Sequence, residues 1–255
     1  HNGNAAFHED YGIGNTMFLG GAESATGYVN QLDNRKTYFS DIGDNKIPTS
    51  LSASPTGIPN LGIYPTQSYF HFSYSEVEWD PRFANHVYVG KDQSLFKSID
   101  GGATFDTLYT FPGDVRRFEI SRDDPDYIYI IVYHSYWDWR IHRSTDGGIS
   151  FSEINTPPYS GGSWRNISFA LNPFDKNEIW TASNSSSDGN KVFSSTDGGT
   201  NWTNRYTSTI AGEGIKDLIF QSGVESDKIY AMTETSSALP PITAFCLCAS
   251  PFPLN

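Results

Sequence analysis

One turn is spelled three times in this chain. Ser98 to Phe105 reads SIDGGATF, Ser144 to Phe151 reads STDGGISF, and Ser195 to Trp202 reads STDGGTNW. The shared word is Ser, any residue, Asp, Gly, Gly, two variable residues, then Phe or Trp. Its aspartates, Asp100, Asp146 and Asp197, stand 46 and 51 residues apart. A recurrence of that length marks a chain built from copies of one supersecondary unit, each leaning on its neighbours.

The chemistry of the word accounts for its fixed letters. An aspartate in this position accepts hydrogen bonds from backbone N–H groups just ahead of it and closes an Asx-type turn. The two glycines supply positive φ, which other residues adopt only at a cost. The terminal Phe105, Phe151 or Trp202 starts the next strand with a ring that can tuck into an apolar layer. Such a word builds structure, not a reaction centre.

A second element recurs around the first. The pairs Val87-Tyr88, Ile128-Tyr129, Ile179-Trp180 and Ile229-Tyr230 sit in short apolar runs, the pattern of buried strands. Three of the pairs follow an Asx-Pro turn, at Asp80-Pro81, Asp124-Pro125 and Asn172-Pro173. Proline there lies in a loop and removes no ladder donor. Ahead of each turn runs another alternating segment: SEVEW, RRFEI, NISFA or IKDLIF. Each unit therefore reads strand, turn, strand, loop, strand, repeated turn, strand.

That order predicts an all-β propeller of four-stranded blades. The blades cover 72–110, 114–156 and 164–207, with a divergent one over 16–40 and a partial one from Ile215 to 237. Residues 1–237 form the propeller, and 238–255 an atypical tail with four prolines and no charged side chain. The tail either packs across the propeller or departs from the parent gene. About five blades are visible, so the ring closes irregularly or belongs to a longer protein.

The three words resemble those of the Asp-box, or BNR-repeat, β-propellers. Sialidases, xyloglucan-degrading endoglucanases, sortilin-type receptors and photosystem assembly factors share them. The resemblance implies a fold and leaves function open. It also implies secretion or a cell-surface location, and that Asp100, Asp146 and Asp197 are structural and lie opposite the ligand face. No Arg-Ile-Pro word or arginine triad appears, which weighs against sialic acid. Arg116 and Arg117 are adjacent, so on a strand they point to opposite faces.

Composition narrows the partners. With 15% aromatic and only 18% charged residues, and 23 Gly and 14 Pro, strands and turns dominate over helices. A net charge of −12 repels polyanions, which argues against nucleic acid and anionic membrane surfaces. No segment approaches a membrane-spanning length. Cys246 and Cys248 are one residue apart, a spacing that strains a disulfide and supplies only two of a metal's ligands. No cofactor and no metal site are expected.

Function is expected on the loops joining second and third strands and on those joining successive blades; the first set includes Gly21 to Ala25, Gly90 to Ser94, His134 to Trp139 and Asn184 to Asn190. The segment YHSYWDW is the most suggestive. Tyr133, His134, Tyr136, Trp137 and Trp139 are the candidate ligand-binding residues, because flat apolar rings match the C–H faces of sugars and nearby polar groups bond hydroxyls. The long segment from Gly43 to Ser68 is a second candidate. A glycoside hydrolase would need two carboxyl groups roughly 5 Å or about 6.5–9.5 Å apart. Glu23, Asp44, Asp92 and Asp138 are the candidates for that role, with Asp44 on the connecting segment. The expected partner is a polysaccharide or glycan. The alternative is a non-catalytic propeller that recognises a protein or glycan.

Overall fold

Short apolar runs separated by Gly, Pro and Asx turns cannot make helices of useful length, and the computed structural model is built of strands. It describes residues 4–6, 17–20, 27–29, 32, 37–41, 44–46, 77–102, 104–135, 138–159, 167–184, 191–205, 214–220, 228–234 and 243–248. No helix occurs among the described residues. The chain divides into two compact units, residues 1–120 and 121–255.

In the first unit, β1 (Asn4–Ala6) pairs with β2 (Met17–Gly20). A separate sheet holds β3 (Gly27–Val29), β4 (Thr37–Asp41) and β5 (Asp44–Lys46). The divergent first blade expected over 16–40 is thus spread over two sheets, because MFLG pairs back onto Asn4–Ala6. A four-stranded antiparallel sheet follows, formed by β6 (Val77–Trp79), β7 (Val87–Lys91), β8 (Ser94–Ser98) and β9 (Asp106–Thr110) in chain order. Val77, Val87 and Val89 form one buried cluster in it, with Trp79, Phe96 and Phe105 packed against them. β10 (Asp114–Ile120) ends the unit. On β10 the two arginines do face opposite ways: Arg116 pairs with Asp114 at 3.2 Å and Arg117 with Glu119 at 3.9 Å.

The second unit contains β11 (Ile128–Ser135), β12 (Asp138–Ser144) and β13 (Ser152–Ile154), paired antiparallel in succession. Next comes a four-stranded sheet of β14 (Ile167–Asn172), β15 (Asp175–Ser183), β16 (Val192–Ser195) and β17 (Thr203–Asn204). The last sheet holds β18 (Gly214–Phe220), β19 (Lys228–Glu234) and β20 (Thr243–Cys248). Thr243 pairs with Thr233 and Cys248 with Lys228, so the segment TAFCLC is a strand of this sheet. The sheet therefore takes in residues 243–248, beyond residue 237, where the sequence pattern placed the end of the propeller. Backbone hydrogen bonds along β19 hold this strand despite the missing turn word.

The sheets of this unit pack face to face. Tyr129, Ile131 and Ile141 meet Ile167, Phe169, Ile179 and Phe193 in one buried layer, with Trp139, Ile154 and Trp202 at its margin. Ala170, Trp180, Ala182 and Val192 meet Ile215, Leu218, Ile229 and Ala231 in the next.

Each repeated turn has the same internal wiring. The serine, to which the sequence pattern gives no task, is its hub. Ser144 Oγ donates to Asp146 Oδ1 (2.8 Å) and accepts the N–H groups of Asp146 (3.2 Å) and Gly148 (2.8 Å). Ser98 and Ser195 do the same in their turns. The aspartates then accept from the residues ahead of them: Thr104 N–H to Asp100, Ser150 N–H to Asp146 and Asn201 N–H to Asp197, each at 2.9 Å. These bonds favour the ionised carboxylate. Those from Asn201 above all bring Asp197 down to about 2. All six glycines of the three words have φ between 70° and 93°.

The first glycine of each word ties the turn to the Asx-Pro turn beside it. Gly101 N–H donates to Asn85 C=O (2.8 Å), Gly147 to Asp126 (3.0 Å) and Gly198 to Asn177 (2.9 Å). The Asx-Pro turns are closed by their own side chains: Asp80, Asp124 and Asn172 Oδ1 accept the N–H two residues on, at 2.9, 3.3 and 2.9 Å. Changing Ser144 to alanine leaves the buried Gly148 N–H without its acceptor. Ser144→Ala is expected to destabilise the fold by about 1–3 kcal/mol in urea melts, against about 0.5 kcal/mol or less for Thr145→Ala at the exposed position beside it.

Candidate functional site

Those bonds put the Asx-Pro turns and the repeated turns at one end of their strands and leave the loops joining second and third strands at the other. In the first unit that other end is the β7–β8 hairpin, whose two-residue tip is Asp92-Gln93. Asp92 has φ +46, a left-handed conformation that an Asx residue tolerates better than most. Its C=O accepts from Val115 N–H (2.6 Å), and the Gln93 C=O accepts from Phe111 N–H (2.7 Å). Behind the tip, a Cβ on Gly90 would stand 2.7 Å from Val115 Cγ1, so only glycine lets β10 come this close.

In the second unit the corresponding end is the β11–β12 hairpin. Tyr133 pairs with Trp139 and Ser135 with Asp138, and the register shift between Tyr133 and Ser135 makes His134 a bulged residue. Bulges re-aim side chains at strand ends. The Tyr133 and Trp139 rings meet edge to face, 5.0 Å apart at 61°. Trp139 leans on the buried layer of Tyr129, Ile131, Ile141 and Phe193, and both rings keep part of their surface exposed. Tyr136 and Trp137 lie outside the described residues.

Asp138 sits differently from the requirement for a general acid. Arg140 holds both its oxygens, Nε to Oδ1 at 2.9 Å and Nη2 to Oδ2 at 2.8 Å. The guanidinium also reaches Glu153 Oε2 on β13 at 3.0 Å. Hydrogen bonds from Arg140 hold the Asp138 carboxyl below its ordinary range against an opposing effect of burial. Its bond to Asp138, then that to Glu153, raises the guanidinium of Arg140 in turn. A general acid needs the reverse, a carboxyl kept protonated near neutral pH. Asp138 and Arg140 together brace the end of the hairpin, and the ionised carboxylate does not suit the role of the acid.

Glu23 lies outside the described residues. Asp44 opens strand β5 as the cross-strand partner of Asp41, with only two residues between them, so it belongs to a hairpin and not to a long loop. Asp92 is exposed at its hairpin tip. Among the described residues no group of three or more His, Cys, Asp or Glu could hold a metal ion. Asp100, Asp146 and Asp197 are all spent inside their turns.

Arg140 and His142 of the hairpin escaped the sequence reading. Asp138, Arg140 and His142 alternate along β12 and so share one face, with Glu153 opposite His142 on β13. The i, i+2, i+4 spacing in DWRIH was the available signal. Tyr159 is another: its hydroxyl donates to Thr181 Oγ1, since that hydroxyl's own proton goes to Ser168 C=O at 3.0 Å. This pins the chain after β13 across the buried layer.

Four-stranded antiparallel sheets stacked face to face, with repeated turns gathered at one end of the strands, are the blades of a β-propeller. Solved structures agree. The chain is similar to an ancestral GH74 enzyme at 15% identity, over 85% of this chain and 28% of that one, with a TM-score of 0.62. It is similar to a GH74 xyloglucanase from Xanthomonas campestris at 12% identity, over 86% and 38%, with a TM-score of 0.58. A Niastella koreensis GH74 enzyme matches at 16% identity, over 84% and 33%, with a TM-score of 0.55. The chain spans 28–38% of the length of these enzymes. No family model and no curated protein matches the sequence.

Proposed function

We propose that this chain is an Asp-box β-propeller segment that engages carbohydrate outside the cell, and that its described residues bind a glycan without cleaving it. The supporting observation is the Tyr133–Trp139 pair. Two rings in edge contact stand at the loop end of one hairpin, next in sequence to Tyr136 and Trp137, and their bases are fixed by the strand register. Rigid aromatic surface of this kind meets the C–H faces of sugars at little entropic cost. The binding reading gains over the hydrolase reading from Asp138, whose carboxylate is committed to Arg140 on both oxygens. The fold neighbours include polysaccharide-acting enzymes, which favours a glycan as the ligand.

The test is a panel of plant, algal and microbial polysaccharides, followed by affinity electrophoresis and by an assay for new reducing ends. The purified chain is expected to be retarded by at least one polymer and to release no reducing ends. Tyr133→Ala is expected to weaken that retardation about tenfold, roughly 1.4 kcal/mol, with an unchanged unfolding midpoint. Retardation by no polymer would overturn the reading. New reducing ends would replace it with hydrolysis, and single variants of Glu23, Asp44 and Asp92 would then be the next step.

A further inference from the structure

The face of the β11–β12 hairpin turned away from Trp139 carries two histidines. His134 and His142 lie with their rings 6.1 Å apart and nearly parallel, at 18°. His142 is 7% exposed. The Nε2 of His134 is out of contact with solvent and has no hydrogen-bond partner. The charges bearing on His142 come from three strands: Glu153 on β13, His134 on β11 and Arg140 on β12. Those bearing on Asp138 are Arg140 and His134. Arg143, on the opposite face, is turned away and donates to Gly198 C=O at 2.9 Å.

We propose that the His134–His142 pair makes the β11–β12 hairpin acid-sensitive, so that protonation loosens its outer end and withdraws the Tyr133–Trp139 edge. The effect on ligand rests on the carbohydrate reading, while the loosening itself does not. With neutral imidazoles the cluster holds one guanidinium between two carboxylates. A proton on His142 places a further positive charge near Arg140, where water scarcely reaches and with the His134 ring stacked over it. Like charges at this distance and depth repel with little screening.

The titration of His142 has the matching sign. Burial, the largest influence, holds its imidazole below the ordinary 6.5, with Glu153 pulling the other way and the charges of His134 and Arg140 adding to the depression. The unfolded or opened hairpin therefore takes up the proton first. Its contribution to stability is full above pH 6.5 and is lost as pH falls through the lowered value of the closed form.

Hydrogen exchange on the full chain at pH 7.5 and pH 5.5, corrected for intrinsic rates, tests this on peptides from 128–144. Peptides from 191–205, which contain no histidine, are the internal reference. Protection of the hairpin is expected to fall several-fold relative to the reference at the lower pH. H134Q/H142Q should abolish that fall. If the double variant does not fold, H134Q alone should reduce it. Equal protection at both pH values, or a fall that persists in the variants, would overturn the proposal. Affinity electrophoresis at both pH values separates the two readings: a loosened hairpin in a chain that binds no glycan even at pH 7.5 refutes the carbohydrate reading and leaves the switch standing.

Discussion

Gly199→Ala is expected to destabilise the second unit by about 2–4 kcal/mol, visible as a lowered urea midpoint at unchanged slope. Two costs combine. The residue has φ +88, which charges an alanine about 1–2 kcal/mol. The new methyl would also stand 2.2 Å from Ile154 Cδ1 and 3.2 Å from its Cγ1. Ile154 cannot simply swing aside, because β13 pairs it with Ile141 and it packs on the buried layer that includes Phe193. Gly101 is the control. It has φ +77, but a methyl there meets nothing nearer than Asn85 Oδ1 at 3.8 Å, so Gly101→Ala should carry the conformational cost alone. The double variant Gly199→Ala, Ile154→Val removes the offending Cδ1 and should recover part of the difference. Equal losses for Gly199→Ala and Gly101→Ala would refute the crowding account.

That comparison marks how far the sequence could be read. The glycine pair was legible as a demand for positive φ, because turn chemistry is local and each word carries its own Asp and Gly. Asx-Pro turns were legible for the same reason: a side chain that bonds two residues ahead needs no distant partner. The neighbour that crowds Gly199 was not legible, since Ile154 arrives from another sheet. At the candidate site the aromatic density of YHSYWDW pointed to the hairpin that carries the Tyr133–Trp139 contact. The pairing of Arg140 with both oxygens of Asp138 was not legible, and only strand register brings Glu153 to the other side of the guanidinium. Asp44 was misplaced because a two-residue connection looks like the start of a longer loop until its partner strand is known. The tail lacked the repeated turn and so looked foreign, yet its alternating backbone groups found β19.

The second large effect is expected at Trp180. Trp180→Ala should cost about 3–5 kcal/mol, the range for an aromatic ring removed from a packed interior. The side chain is 2% exposed and sits among Ala170, Ala182 and Val192, small residues that leave room for the indole. Ile215, Leu218, Ile229 and Ala231 of the last sheet close over the same layer. The indole N–H donates to Glu178 Oε1 at 2.9 Å, and the Arg205 guanidinium lies 5.5 Å from the ring centre, so a phenylalanine would recover volume but not the bond. Tyr230 occupies the same place in its Ile-aromatic pair and read identically in the sequence. It is 37% exposed beside its cross-strand partner Ile219 at 57%, and Tyr230→Ala should cost about 1 kcal/mol or less. A strand's own residues declare that it forms; what covers its outer face is decided by the next sheet. Denaturant melts of the two variants side by side measure that difference directly, and equal losses would show that Trp180 owes its stabilising effect to its own strand and not to the sheet that covers it.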